Sequence, residues 1–321
     1  MNTFFLQKGA TRLEVADPLA AEPYYRGTRF DRSGVILNLD HKGHSFVRPW
    51  FRKYDPFMHD AVSGPSEEFT QIGYDEAAPG GTFLKIGVGI LKRDAAPYDR
   101  FHLYEIVDSG KITVEKGEDQ ALFRQSLDGC YDYSKLVEIP SEGRLRIIHR
   151  FTNCGGKVLY FHVYSHNFFI MDGKPVGPAT RFIFPFKPVG NWRADYDSVH
   201  LTDFGIAFDR SLAEGESVFM GDLHEAEAVP VPFTFVLADN DTRMTVSGSC
   251  DCRIEYSVFW ANPDIACIEP YMPVHVQPGE TTCWTLGYLF GTGRNPWLFG
   301  KESQCGKHGT VFRCCAGSCQ E

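Results

Sequence analysis

The stretch VLYFHVYSHNFFIMDG, residues 158–173, decides the fold. It is dense in β-branched and aromatic residues, contains no proline, and ends on the turn pair Asp172-Gly173, which predicts an extended strand closed by a tight turn. Alternate side chains of a strand point the same way, so His162 and His166 fall on one face. Similar runs recur along the chain: TFLKIGVGIL (82–91), FHLYEIVD (101–108), RLRIIHRFTN (144–153), TRMTVSG (242–248), IEYSVFW (254–260) and TTCWTLGYLF (281–290). Turns separate them at Asp108-Ser109-Gly110, Asn153-Cys154-Gly155-Gly156 and Pro278-Gly279-Glu280.

Helical signal is scarce. SLAEGES (211–217) is too short and too marked by glycine, and no long segment carries an apolar stripe of helical period. Strands without intervening helices point to the all-β class, with large antiparallel sheets packed as a sandwich. No internal repeat or Pro/Ser-rich linker precedes residue 291, so residues 1–300 read as one sandwich domain of a 321-residue chain. Residues 301–321, with Cys305, Cys314, Cys315 and Cys319, read as an appended cysteine-rich tail expected to be poorly ordered.

Thirty-two basic residues against 41 acidic ones give a net charge of −9, and no basic cluster exceeds a pair such as Lys92-Arg93. Nucleic acid is thereby excluded as the expected partner, since its recognition rests on concentrated Lys and Arg. The N-terminal MNTFFLQKGATRLEVAD lacks the apolar core of a secretory signal, and no apolar run approaches the ~20 residues that span a bilayer. The expectation is a cytoplasmic protein without membrane contact, its thiols mostly reduced.

Two residues stand out chemically. His166, at the end of its apolar run, is either a general acid titrating near neutrality or a histidine bonded to a neighbouring strand. Glu269, in DIACIEPY (264–271), is either a base whose pKa is raised by burial or a strand-end carboxylate facing solvent. Arg26 and Arg29 in YYRGTRFD offer bidentate donors, or simply line a solvated strand. One of Glu67 and Glu68, after the Gly64-Pro65 turn, is expected to face inward, and Glu68 joins the candidate substrate-binding set. Lys85, among apolar neighbours, suggests an enclosed cation or one that snorkels to an edge. Trp260 is either a stacking surface for a ligand or part of the core.

No metal centre is expected. His41 and His44 lack further ligands nearby, and Cys305, His308, Cys314, Cys315 and Cys319 do not match a standard zinc spacing. Cys267 reads as a small core residue rather than a nucleophile.

Taken together, SHNFF resembles the N-H-x-Y-F motif of the aldose 1-epimerases, or galactose mutarotases. CIEPY followed by QPGET resembles their C-L-E-P segment and L-x-P-G-E strand. YYRGTRFDRSGVI, SGPSEEF and FLKIGVGIL resemble an epimerase-like branch other than the best-known mutarotases, and the likeness spans residues 24–290. Ser165 stands where the family motif has Asn. The family's L-H-G-G segment has no counterpart, although DPFMHDAVSGPSEEF offers His59 in that region.

The resemblance implies a galactose mutarotase-like β-supersandwich with a carbohydrate cleft and a small-molecule sugar as partner. It implies Glu269 as the base at the anomeric hydroxyl and His166 as the acid at the ring oxygen. Arg26, Arg29, Glu68, Lys85 and Trp260 are the candidate substrate contacts. Neither metal nor organic cofactor is required, and the chain is expected to be a monomer or homodimer. The alternatives are a non-catalytic carbohydrate-binding protein on the same fold, and an assembly role for the cysteine tail.

Overall fold

A computed structural model describes residues 2–225 and 233–293, so the cysteine tail lies outside the described residues. Among the described residues there are 23 strands and no helix, SLAEGES included.

The strands form four antiparallel sheets. The largest has ten strands, with Arg144–Asn153 and Thr281–Thr292 near its centre. Facing it is a six-stranded sheet in the order Pro188–Trp192, Val218–Glu225, Tyr256–Ala261, Ala266–Val276, Leu159–Phe168, Gly64–Phe69. Phe69 and Phe161 of the smaller sheet meet Tyr133 and Phe151 of the larger, with ring centroids 5.5 and 5.1 Å apart. Those contacts mark the interior of a sandwich. A four-stranded sheet over Thr3–Val47 and a three-stranded sheet within Thr82–Asp108 flank it.

The run at 158–173 forms the strand Leu159–Phe168, and Asp172 and Gly173 both take positive φ at the turn that follows. TFLKIGVGIL differs from a single strand. It folds into a hairpin of Thr82–Lys85 and Gly89–Lys92, because Gly87 turns the chain with φ +78°. Of FHLYEIVD only Ile106–Asp108 is extended; Phe101–Leu103 belongs to a loop.

Period-two alternation positions the site. Along Leu159–Phe168, Phe161 and Val163 enter the main core, whereas Tyr164, His166 and Phe168 face away from it. A second apolar cluster covers that outer face. Tyr25, Phe30 and Val62 from the N-terminal loops pack there against Phe168 and Cys267.

Candidate active site

The outer face of the six-stranded sheet brings three strands' charged residues together. Leu159–Phe168 lies between Ala266–Val276 and Gly64–Phe69, with Tyr164 opposite Tyr271 on one side and Glu68 on the other. His166, Glu269 and Glu68 therefore project from adjacent strands onto one face. The ladder toward Ala266–Val276 stops at the Tyr164–Tyr271 pair, and beyond it the backbones meet again only in the isolated bridge Phe169–Ala266. Asn167 spans this interval. Its Nδ2 donates to the Ile268 carbonyl at 2.6 Å, and its Oδ1 accepts from the Tyr288 hydroxyl at 2.7 Å.

Both ring nitrogens of His166 meet carboxylates: Nδ1 is 2.9 Å from Glu269 Oε1, and Nε2 is 3.2 Å from Glu68 Oε2. Glu68 also accepts from Arg29 Nε at 2.7 Å and has Lys85 Nζ at 3.8 Å. Lys85 donates to the Phe69 carbonyl and to Tyr98 Oη. The group is enclosed, with exposures of 1% for Glu68 and Lys85, 2% for His166 and 7% for Glu269.

Burial by itself favours a neutral imidazole, but Glu269, assisted by Glu68, outweighs it and raises the His166 pKa above 6.5. Both carboxylates thus favour the imidazolium, the form with a proton to give. Burial likewise penalises the Glu68 carboxylate, and Arg29 and Lys85 reverse this, holding its pKa well below the usual range. Burial pushes Lys85 down to about 8 despite Glu68.

Aromatic residues roof the group. Phe30 stands edge-on to His166 at 4.8 Å, and Arg29 lies 4.7 and 5.1 Å from the rings of Phe30 and Phe101. His59 packs under Phe101 and brings Nδ1 to 3.5 Å from Arg29. The loop carrying Phe30 and Arg29 is pinned to the sheet by Asp31, whose N–H donates to the Glu67 carbonyl at 2.9 Å.

Comparison with solved structures places this architecture. Slr1438 protein from Synechocystis sp. PCC 6803 superposes with a TM-score of 0.57 at 14% identity, over 91% of this chain and 96% of that one. The fold is galactose mutarotase-like. An aldose epimerase homologue from C. elegans gives a TM-score of 0.55 at 12% identity, covering 91% of this chain and 100% of its own. A galactose mutarotase-like protein from Clostridium acetobutylicum gives 0.52 at 14%, covering 91% and 95%. At these identities the likeness is one of fold. No family model matches the chain, and no curated protein matches it.

On this mutarotase-like sandwich, five sequence candidates converge: His166, Glu269, Glu68, Arg29 and Lys85. Two do not. Arg26 turns its Nε toward the Pro23 carbonyl at 3.4 Å and lies over Phe57. Trp260 packs 5.6 Å from Trp50 and 6.3 Å from Phe168, as part of the outer apolar cluster. Of the acidic pair at 67–68, both members are buried, on opposite faces. His162 shares the face of His166 but is hydrogen-bonded to Glu255 at 2.6 Å.

Asn167, Tyr164 and Arg100 went unmarked in the sequence. The signal for Asn167 was an amide at a core-facing position of an apolar strand, where it must find partners. Cys267 is buried and places Sγ 3.7 Å from Glu269 Oε1; burial, reinforced by Glu269, raises its thiol pKa well above the ordinary value. Its Sγ, a His166 nitrogen and a Glu269 oxygen lie within 4.8 Å of one another, a spacing a metal ion could use. A thiol held protonated by burial and a ring nitrogen already bonded to the carboxylate are poor ligands, because a metal must displace the thiol proton and break that bond.

Proposed function

We propose that this protein is an aldose 1-epimerase-type isomerase, interconverting the α and β anomers of a sugar. The supporting observation is the buried contact of 2.9 Å between His166 Nδ1 and Glu269 Oε1, a contact that raises the His166 pKa. Ring opening of a hemiacetal needs one proton removed while another arrives. Glu269 accepts the proton of the anomeric hydroxyl, the bond from the anomeric carbon to the ring oxygen breaks, and His166 delivers its proton to that oxygen. The exposed carbonyl rotates. Closure on its other face returns the proton on the ring hydroxyl to His166 and that on Glu269 to the new anomeric oxygen. Each positioned transfer contributes about 10²–10⁴-fold.

Arg29, Lys85 and Glu68 form the frame of the acid. Glu68 helps raise the His166 pKa and orients the ring, and the two cations keep Glu68 ionised. Access requires the roof of Phe30, Arg29 and Phe101 to yield, since the pair is covered.

Anomer exchange followed by NMR across neutral, deoxy, acidic and phosphorylated aldoses tests the reading. Acceleration of at least one sugar supports it; acceleration of none overturns it. A second reading, a non-catalytic carbohydrate-binding protein, is favoured by one observation: both nitrogens of His166 already have carboxylate partners. Sugar binding without anomer exchange would select it.

A further inference from the structure

Behind the candidate active site, the inner face of Gly64–Phe69 turns Glu67 into a buried chain of polar groups that the proposed mechanism does not use. Asp31 Oδ2 lies 2.9 Å from Tyr133 Oη, Tyr133 Oη lies 3.0 Å from His149 Nδ1, and His149 Nε2 lies 3.5 Å from Glu67 Oε1. Lys135 closes the chain into a ring, pairing with Glu67 and standing 3.6 Å from Asp31 Oδ2. Phe69, Trp284 and Tyr131 border the ring and add no charge, since burial keeps the Tyr131 hydroxyl protonated.

The chain has more contacts than hydrogens to fill them. Each of its three contacts is favourable only with a hydrogen between the two atoms, whereas Tyr133 brings one hydrogen and a neutral imidazole one more. If Tyr133 donates to Asp31, the imidazole must donate through both nitrogens. If Tyr133 donates to His149, the Asp31 carboxyl must itself be a donor. Either arrangement contains a third hydrogen. Without it two acceptors face each other away from water, and neither Glu67 Oε1 nor His149 Nε2 has a hydrogen-bond partner among the described residues.

Charge leads to the same count. Two carboxylates share one ammonium here, and a single further proton makes the group neutral, as deep burial favours. Burial raises the Asp31 pKa, with Lys135 opposing the rise and Glu67 adding to it. Trp284 lies flat against His149, with 4.8 Å between ring centres and 9° between planes, a face that suits a cationic imidazole.

This interior group anchors both halves of the Arg29–Glu68 ion pair. Asp31 follows Arg29 by two residues and donates its N–H to the Glu67 carbonyl at 2.9 Å, and Glu67 precedes Glu68 in its strand. Arg29 and Glu68 meet at 2.7 Å on the other face, beside His166. Resting on the epimerase reading above, we propose that Tyr133 is a positioning residue that keeps one proton shared between Asp31 and His149, and that this proton fixes the Arg29 loop and the Glu68 strand beneath the catalytic acid. Its loss leaves an uncompensated negative charge behind the site and loosens the Asp31 loop. The native state binds a proton that the unfolded chain releases near neutrality. The stabilisation is therefore present in full below the pKa of a free imidazole and is lost as pH rises through the shared titration.

The test uses isotope-labelled full-length protein with Tyr133→Phe and His149→Gln, the latter keeping a donor and an acceptor without a titrating ring. In NMR titrations of the wild type, the Asp31 carboxyl and the His149 ring should change at one shared midpoint, and in Tyr133→Phe at two. Separate midpoints in the wild type overturn the shared proton. The free energy of urea unfolding should fall more steeply with alkaline pH in the wild type than in either variant, by up to the slope of one proton. Equal slopes in all three overturn it, and His149→Gln alone decides this comparison if Tyr133→Phe does not fold. Tyr133→Phe should lower kcat for anomer exchange about 10- to 100-fold with KM nearly unchanged, and should displace the His166 ring signals. Unchanged kcat and unchanged His166 signals overturn the positioning role and leave the epimerase reading standing. A wild type that exchanges no anomers removes the epimerase reading, and the shared midpoint together with displaced His166 signals then supports the proton and its reach to the site.

Discussion

Glu67 and Glu68 are neighbours in the chain, yet their carboxylates lie on opposite faces of one strand, each almost entirely out of solvent, at 0% and 1% exposure. Glu68 serves His166 on the outer face. Glu67 enters the sandwich, where it pairs with Lys135 and lies 3.5 Å from His149 Nε2. Lys135 donates to the Ser33 carbonyl at 2.9 Å and approaches Asp31, whose Oδ2 accepts from Tyr133 at 2.9 Å. One strand thus ties the candidate active site to a buried charged network behind it.

That network is vulnerable to loss of a single member. Lys135→Met leaves Glu67 and Asp31 buried without their cation, and the expected cost is about 3–5 kcal/mol in urea unfolding. Adding Glu67→Gln to the same chain should cost less than the two single changes together, because the partners are coupled. Strict additivity would show that Lys135 and Glu67 do not form a unit.

Acid should weaken the fold through the same residue. Burial opposes ionisation of Glu67, but Lys135 and His149 prevail and lower its pKa to about 2, against 4.5 for the free group. A depressed carboxylate stabilises the native state above its unfolded pKa, and that contribution is lost as pH falls from 4.5 toward 2. The urea midpoint should drop across this interval, and the drop should be smaller in Glu67→Gln. Identical pH dependence in both proteins would remove Glu67 as its source.

The acid's protonation has the opposite sign. The native His166 pKa lies above 6.5, so its ion pairs stabilise the fold fully below that value and the benefit is lost as pH rises through the native pKa. Activity that needs the imidazolium follows the same alkaline limb. Glu68→Gln removes one of the two carboxylates holding the proton, and the limb in kcat/KM should move to lower pH. An unmoved limb would separate Glu68 from the acid.

Glu269→Gln and His166→Asn should each reduce anomer exchange by about 10²–10⁴-fold at unchanged fold. Asn167→Ala should act more gently, costing about 1–3 kcal/mol of stability by orphaning buried partners, and up to about 100-fold in kcat by loosening the strand junction under the pair. Near-normal activity in either of the first two would refute the assigned roles; normal activity in the third would refute the positioning role.

Chelation addresses the trio His166, Cys267 and Glu269. Incubation with EDTA followed by desalting should leave anomer exchange unchanged, and Cys267→Ala should retain activity within a few-fold. Loss on chelation that zinc restores would instead assign the trio to a metal ion.

The strand around His166 was legible because alternation and turn residues are local signals, whereas Ala266–Val276, which carries Glu269, Pro270 and Pro273, was not read as a strand. Leu159–Phe168 and Arg144–Asn153 follow directly from those signals. Lys85 among apolar neighbours pointed to enclosure, and it is buried beside Glu68. The roof was not legible. Phe30, His59 and Phe101 occupy irregular loops, where neither period two nor period 3.6 applies and side-chain direction depends on distant anchors such as the Asp31–Glu67 contact. The same holds for Arg26, whose residue type suits a sugar while its loop neighbours direct it elsewhere; Trp260 stays on the outer face but packs within its apolar cluster. Glu67 and Glu68 could be placed on opposite faces by alternation, but burial of both requires partners from distant segments, Lys135 and His149 for Glu67 and Arg29, Lys85 and His166 for Glu68.

The three residues that meet at His166 also bear on how the chain folds. Glu68, His166 and Glu269 are each separated from the next by about a hundred residues, and such distant pairings form slowly because large loops must close first. The hairpins of the ten-stranded sheet need only neighbouring segments. During refolding, strand content should therefore recover before the imidazole acquires its two carboxylate partners, making the His166 environment a late reporter of completed topology.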